Sequence, residues 1–189
     1  MNPNSRKRSR VAAAAVTAAI ALTPAAALAT PGHRAAPAAA SAPACATSDL
    51  MVWLGIPGED AAGSSYYELE LSNISSHTCT LFGFPGVSAV TSNGAQLGRA
   101  ATRDHSDPTH LVTLSPLATA HAVLQIINAA NYPPSTCQPT QASGLKIYPP
   151  NTTTATEVPF QFQACAKSGP VYLFVRTTVA GTGIPFVSN

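Results

Sequence analysis

The chain has 189 residues, room for one domain, and its formal charge of +2 is set by Arg6, Lys7, Arg8 and Arg10, four of its ten basic side chains. Without residues 1–29, six basic side chains face eight acidic ones, and such a charge-poor domain carries no electrostatic footprint for nucleic acid or anionic lipid. A 46% hydrophobic content excludes wholesale disorder, and 10% charged residues beside 17 Pro and 12 Gly exclude a helical bundle.

Residues 5–10 (SRKRSR) form a positive start, and residues 11–22 a short, mostly alanine apolar run. Thr23-Pro24 then breaks the helix, and Ala27-Leu28-Ala29 supplies the small residues of a cleavage site before Thr30. This three-part pattern predicts a signal peptide over residues 1–29. The run is too short and too weakly apolar for the roughly 20 residues of a membrane span. Residues 30–44 are Ala/Pro-rich and predict a flexible linker. No second long apolar segment follows. The mature form is expected to be secreted, extracellular or envelope-associated, without a transmembrane anchor. Residues 45–189 remain as the folded domain.

The β pattern begins at residues 50–54 (LMVWL), where Trp53 sits mid-run and is expected in the core. Residues 66–73 (YYELELSN) alternate, with Tyr67, Leu69 and Leu71 on one side and Glu68, Glu70 and Ser72 on the other. The two glutamates are expected to keep their face solvated. Tyr66 shares that face and is the candidate aromatic for stacking on a sugar or peptide. Further short runs cover residues 79–84, 87–91, 111–114, 121–127, 145–148, 157–162 and 171–179. All are rich in β-branched or aromatic residues and bounded by turn formers. Ser92-Asn93-Gly94 marks a hairpin between 87–91 and 96–97. With no periodic helix, the pattern predicts an all-β, Ig-like antiparallel sandwich and excludes β/α architectures.

Cys45, Cys79, Cys137 and Cys165 all follow the leader, which in an exported chain reads as two disulfides. Four cysteines allow three connectivities. Cys45–Cys79 with Cys137–Cys165 is favoured, because each bridge closes a moderate loop and ties an irregular segment to a strand. The spacing contains no CxxC element and argues against zinc.

The densest polar cluster is residues 103–110 (RDHSDPTH). His105, Asp107 and His110 could ligate a metal there, but their spacing matches no helical metal motif and no nucleophile elbow. An exposed loop is the expected outcome, because Asp-Pro is ordinary turn chemistry. Glu59 and Asp60 share one loop, where carboxylates rarely flank a scissile bond. No cofactor is expected.

The most specific run is CTLFGFPGV, residues 79–87, preceded by YYELELSNISSHTC. With Cys45, the strand opening at Gly63, Leu114-Ser115-Pro116, Cys137, the run GLKIYPP (144–150) and Cys165, it resembles the actinobacterial exported family of the domain of unknown function 4232 type. The resemblance covers residues 45–180. It implies an exported Ig-like sandwich with no assigned activity and no catalytic residues to transfer. One departure is local: the turn after Leu114 often carries Pro-Gly in such sequences, whereas here it is Pro116-Leu117. The sequence is therefore expected to encode a non-catalytic domain that binds a protein or a cell-envelope glycan. The alternative is an exported hydrolase or metal-handling protein built on residues 103–110.

Overall fold

The computed structural model describes residues 41–57 and 63–183. The predicted signal peptide, most of the linker and the Glu59-Asp60 loop lie outside them. The strands are β1 (Leu50–Pro57), β2 (Ser64–Asn73), β3 (Cys79–Phe82), β4 (Gly86–Val90), β5 (Gln96–Leu97) and β6 (Thr102–Arg103). They continue as β7 (Leu111–Leu114), β8 (Thr119–Ile127), β9 (Pro139–Tyr148), β10 (Thr156–Cys165), β11 (Leu173–Val175) and β12 (Val179–Ala180). The one α-helix among the described residues is a single turn, Pro134–Cys137.

One layer is a six-stranded sheet ordered β1-β2-β8-β11-β6, with β12 also paired to β8. A four-stranded sheet, β10-β9-β4-β5, and the β3-β7 pair supply the facing surface. All ladders are antiparallel except β11 with β6. The layering follows from period two. In β8, Ala120, Ala122, Leu124 and Ile126 are buried while the residues between them are not. Leu69 and Leu124 then meet Leu145 and Ile147 of the four-stranded sheet in one core. Leu50, Leu71 and Ala120 meet Leu81, Val112 and Leu114 of the β3-β7 pair in a second. Each such buried leucine contributes about 1.5–3 kcal/mol. Pro159 within β10 is tolerated because β10 is an edge strand with a bulge beside that residue.

The fold is the all-β antiparallel sandwich expected, and both disulfides take the favoured connectivity, Cys45–Cys79 and Cys137–Cys165. The domain starts slightly before Cys45. Thr80 N–H donates to Pro43 O at 2.8 Å, and Ala44 bridges Thr80, so the last two residues of the expected linker are tied to β3. Trp53 corrects the expected core: it is 39% exposed, and its Nε1–H donates to Ser72 Oγ at a long 3.4 Å. Leu50 is buried, and Val52 and Leu54 pack on the core, so strand parity turns Met51 and Trp53 outward.

The local departure at Pro116-Leu117 has a conformational consequence. Ala118 N–H donates to Ser115 O at 3.0 Å, and Leu117 takes φ +67°, which makes this a type II turn. The second central position of that turn suits glycine, because a side chain in the left-handed region costs about 1–2 kcal/mol. Leu117 is also 84% exposed, so its side chain returns little packing. Glycine loses more chain entropy on folding, which offsets part of the relief. Leu117→Gly is expected to raise stability by up to about 1 kcal/mol. Thermal unfolding of the two proteins checks this, and a lowered midpoint would contradict it.

Candidate functional site

The β3 run that carries the most specific motif ends in an open concavity. Cys79 and Leu81 point into the core, so alternation turns Phe82 outward, where it remains 48% exposed. Its cross-strand partner Leu111 is 65% exposed. Gly83 follows with φ +97°, and a Cβ there would meet nothing within 4 Å. Its carbonyl is held by Thr178 N–H at 2.9 Å. Phe84 then turns beside Arg103 and His105. Together Phe82, Gly83, Phe84, Arg103, Thr109 and Asn151 line a hollow of about 240 Å³.

The lining residues come from three separate stretches of the chain, 82–84, 103–109 and 151. Arg103 closes β6, whose flanks are anchored by Ala101 N–H to Val87 O at 2.7 Å and Asp104 N–H to Val175 O at 2.9 Å. Its guanidinium carbon lies 5.7 Å from the centre of the Phe84 ring, within range of a cation–π contact. The His105 ring packs on Phe84 at 4.6 Å between centroids. Asn151 holds φ +62°, and its Nδ2 donates to Phe82 O at 3.1 Å. Asparagine tolerates that left-handed conformation better than most side chains. The arrangement offers aromatic faces, a cation and an amide around a backbone floor.

The polar loop that sequence reasoning considered for metal or catalysis is divided among separate tasks. His105 goes to Phe84. Asp107 Oδ2 lies 3.8 Å from Arg176 Nη1, and Asp104 Oδ2 accepts from Arg176 Nε at 3.2 Å. His110 is exposed just before β7. No three His, Cys, Asp or Glu side chains among the described residues converge as metal ligands. Asp104 also accepts from Ser106 N–H at 3.0 Å, and this bond, ahead of Arg176, holds its carboxyl below the usual aspartate value. The Asp104–Arg176 pair is partly solvated, and such pairs contribute little. Asp104→Asn is expected to cost less than about 1 kcal/mol, with a smaller loss in high salt. Urea unfolding at two ionic strengths measures it. A loss several times larger would mean that the loop organises the fold.

A second polar cluster overturns a sequence expectation. Glu68 and Glu70 do not keep a solvated face: they are 6% and 1% exposed. Trp53, Glu70, His121 and Val179 form one row across β1, β2, β8 and β12. After β12 the chain crosses this row. Gly183 N–H donates to Glu70 Oε1 at 2.9 Å, and His121 Nδ1 lies 2.8 Å from Gly181 O. His121 Nε2 is 3.8 Å from Glu68 Oε2. Gly183 sits so close to the Glu68 carboxylate that any side chain there would overlap it. Burial pushes both carboxyls above the usual glutamate value; His121 opposes this at Glu68, and Gly183 N–H opposes it at Glu70. Oε2 of each glutamate is buried without a hydrogen-bond partner among the described residues. Tyr66, the sequence candidate for stacking, is half-buried opposite Gln125 on this sheet and does not line the concavity.

The concavity therefore gathers Phe82 and Phe84 of the CTLFGFPGV run with Arg103 and Asn151, residues that no local pattern connects. Comparison with curated proteins finds no match, and comparison with solved structures finds none either. A family profile matches residues 45–180, from the first half-cystine to the end of β12. By that match over well over half of its length, the chain belongs to the family described as Domain of unknown function (DUF4232).

Proposed function

We propose that the chain is an exported, non-catalytic binding domain that holds a protein or a glycan of the cell envelope in the Phe82–Phe84–Arg103–Asn151 concavity. The observation that carries this reading is the exposure of Phe82 in a hollow that Gly83 also lines. An aromatic side chain left 48% exposed beside an arginine is costly to solvate and useful to a ligand. Two disulfides suit an oxidising compartment outside the cytoplasm. Among the described residues no helix is long and apolar enough to cross a membrane. The rival hydrolase or metal-handling reading needs His105, Asp107 and His110 to converge, whereas His105 packs on Phe84, Asp107 faces Arg176 and His110 is exposed.

Co-sedimentation of the purified, oxidised protein with an envelope fraction tests the reading. Wild type is expected in the pellet, and Phe82→Ala is expected to be retained about fivefold more weakly, the loss typical of one half-buried aromatic contact. Retention unchanged by Phe82→Ala would overturn the assignment of this surface.

A further inference from the structure

We infer that the concavity selects a carboxylate-bearing sugar, a uronic-acid-type unit of an envelope polysaccharide; this deepens the binding reading above and rests on it. Arg103 has no acidic partner among the described residues, because both aspartates of its own loop, Asp104 and Asp107, turn to Arg176. Its guanidinium lies over Phe84 instead. A cation–π contact spends none of the guanidinium's N–H donors, and its N–H fork matches a carboxylate with two parallel hydrogen bonds.

Size and surface then choose among anions. A hollow of about 240 Å³ falls below the roughly 300–1,000 Å³ that drug-sized ligands occupy, so it accepts one ring or one side chain. Phe82 offers an apolar face for the C–H side of a sugar ring. Thr109 and Asn151 bring hydroxyl and amide groups to the same rim. Asn151 Nδ2 is spent on Phe82 O, and its Oδ1 has no donor among the described residues, which leaves an acceptor for a sugar hydroxyl. Inorganic anions would use Arg103 but leave Phe82 idle.

A peptide end could also present a carboxylate. Peptides commonly gain affinity by adding a strand to a free sheet edge. Here β3 is closed to that. Strand β7 occupies one edge, Pro43 and Cys45 bond Thr80 on the other, and Asn151 takes the carbonyl of Phe82. The geometry therefore favours the sugar.

The experiment titrates sodium glucuronate, glucose and an acetylated dipeptide ending in leucine into the purified, oxidised protein. Binding is followed by amide NMR at Gly83 and the Asn151 side chain. Glucuronate is expected to shift both signals with an affinity on the order of 1 mM, at least about tenfold tighter than glucose. Raised salt should weaken glucuronate and leave glucose unchanged. Arg103→Gln, a change at an exposed side chain, should bring the two sugars within about twofold, whereas Phe82→Ala should weaken both. Equal binding of glucose and glucuronate, or tighter binding of the dipeptide, would overturn the acidic-sugar assignment. If that happens while envelope retention still depends on Phe82, the ligand class fails and the binding reading stands. If retention ignores Phe82, the reading beneath the inference fails first.

Discussion

Cys79→Ser lowers stability by about 5 kcal/mol and leaves Cys45 open to alkylation. The Cys45–Cys79 bridge closes a separation of 34 residues, for which the chain-entropy model gives roughly 3.5–4 kcal/mol. Packing adds to the loss. Both half-cystines are buried within the smaller core, beside Leu50, Leu71, Leu81 and Leu114. Serine would put a hydroxyl among those leucines, and an unpaired buried hydroxyl costs a further 1–3 kcal/mol or so. The bridge also fixes the entry of the chain to β3, where Cys45 N–H donates to Thr80 O at 2.9 Å. Loosening that end should disturb Phe82, three residues past Cys79, and so weaken envelope retention too. Thermal unfolding would show the loss as a midpoint lowered by about 10 °C for a domain of this size. A midpoint within about 2 °C of wild type would mean that the bridge is dispensable to the fold.

The sheets were legible in the sequence because burial on one face leaves a period of two. Residues 111–114 form β7 as predicted, and residues 66–73 fall within β2. The predicted strand over residues 171–179 instead divides into β11 and β12. Thr178 N–H reaches Gly83 O, and the buried Thr177 hydroxyl lies 3.4 Å from the same oxygen, so a tertiary contact with the β3 turn breaks the run. Strand β6 is two residues long and exists through its parallel pairing with β11, which no local propensity announces. The concavity was invisible for the same reason: its lining comes from around residues 83, 103, 109 and 151. One signal was available. In CTLF the phase set by Cys79 and Leu81 leaves Phe82 facing out, and the same parity argument places Trp53 outside the core.

Glu68 and Glu70 mark the opposite limit. Alternation correctly assigned them to the face away from Leu69 and Leu71. What sequence periodicity could not show is that this face is covered by the chain itself, more than a hundred residues later, at Gly181–Gly183. Exposure is a property of the whole fold, and a strand pattern reports only which side a residue takes. The segment that covers them contributes backbone groups rather than countercharge, so the carboxylates lose water without gaining a full set of partners.

Glu70→Gln therefore stabilises the protein at neutral pH, by up to about 1 kcal/mol, because it removes a buried charge while an amide NH2 replaces the unpartnered Oε2. Glutamine retains the Oε1 acceptor for Gly183 N–H and removes the charge that burial disfavours. The sign follows from the direction of the shift. The folded-state value is raised above the ordinary glutamate value of 4.5, mainly by burial and further by Glu68, against the pull of Gly183 N–H and His121. A raised carboxyl contributes stability that is fully present below the unfolded value, and that contribution is lost as pH rises through the folded one. Wild type should thus be less stable at pH 8 than near pH 5, and Glu70→Gln should flatten that slope. At pH 4 the wild-type carboxyl is itself neutral in the folded protein, so the two proteins should converge there. Urea unfolding across this range makes the comparison. His121→Gln, measured alongside, removes the imidazole that faces Glu68 and shows how much of the effect depends on that contact. Destabilisation by Glu70→Gln at every pH would show instead that the carboxylate is ionised and fully paired beneath the Gly181–Gly183 segment.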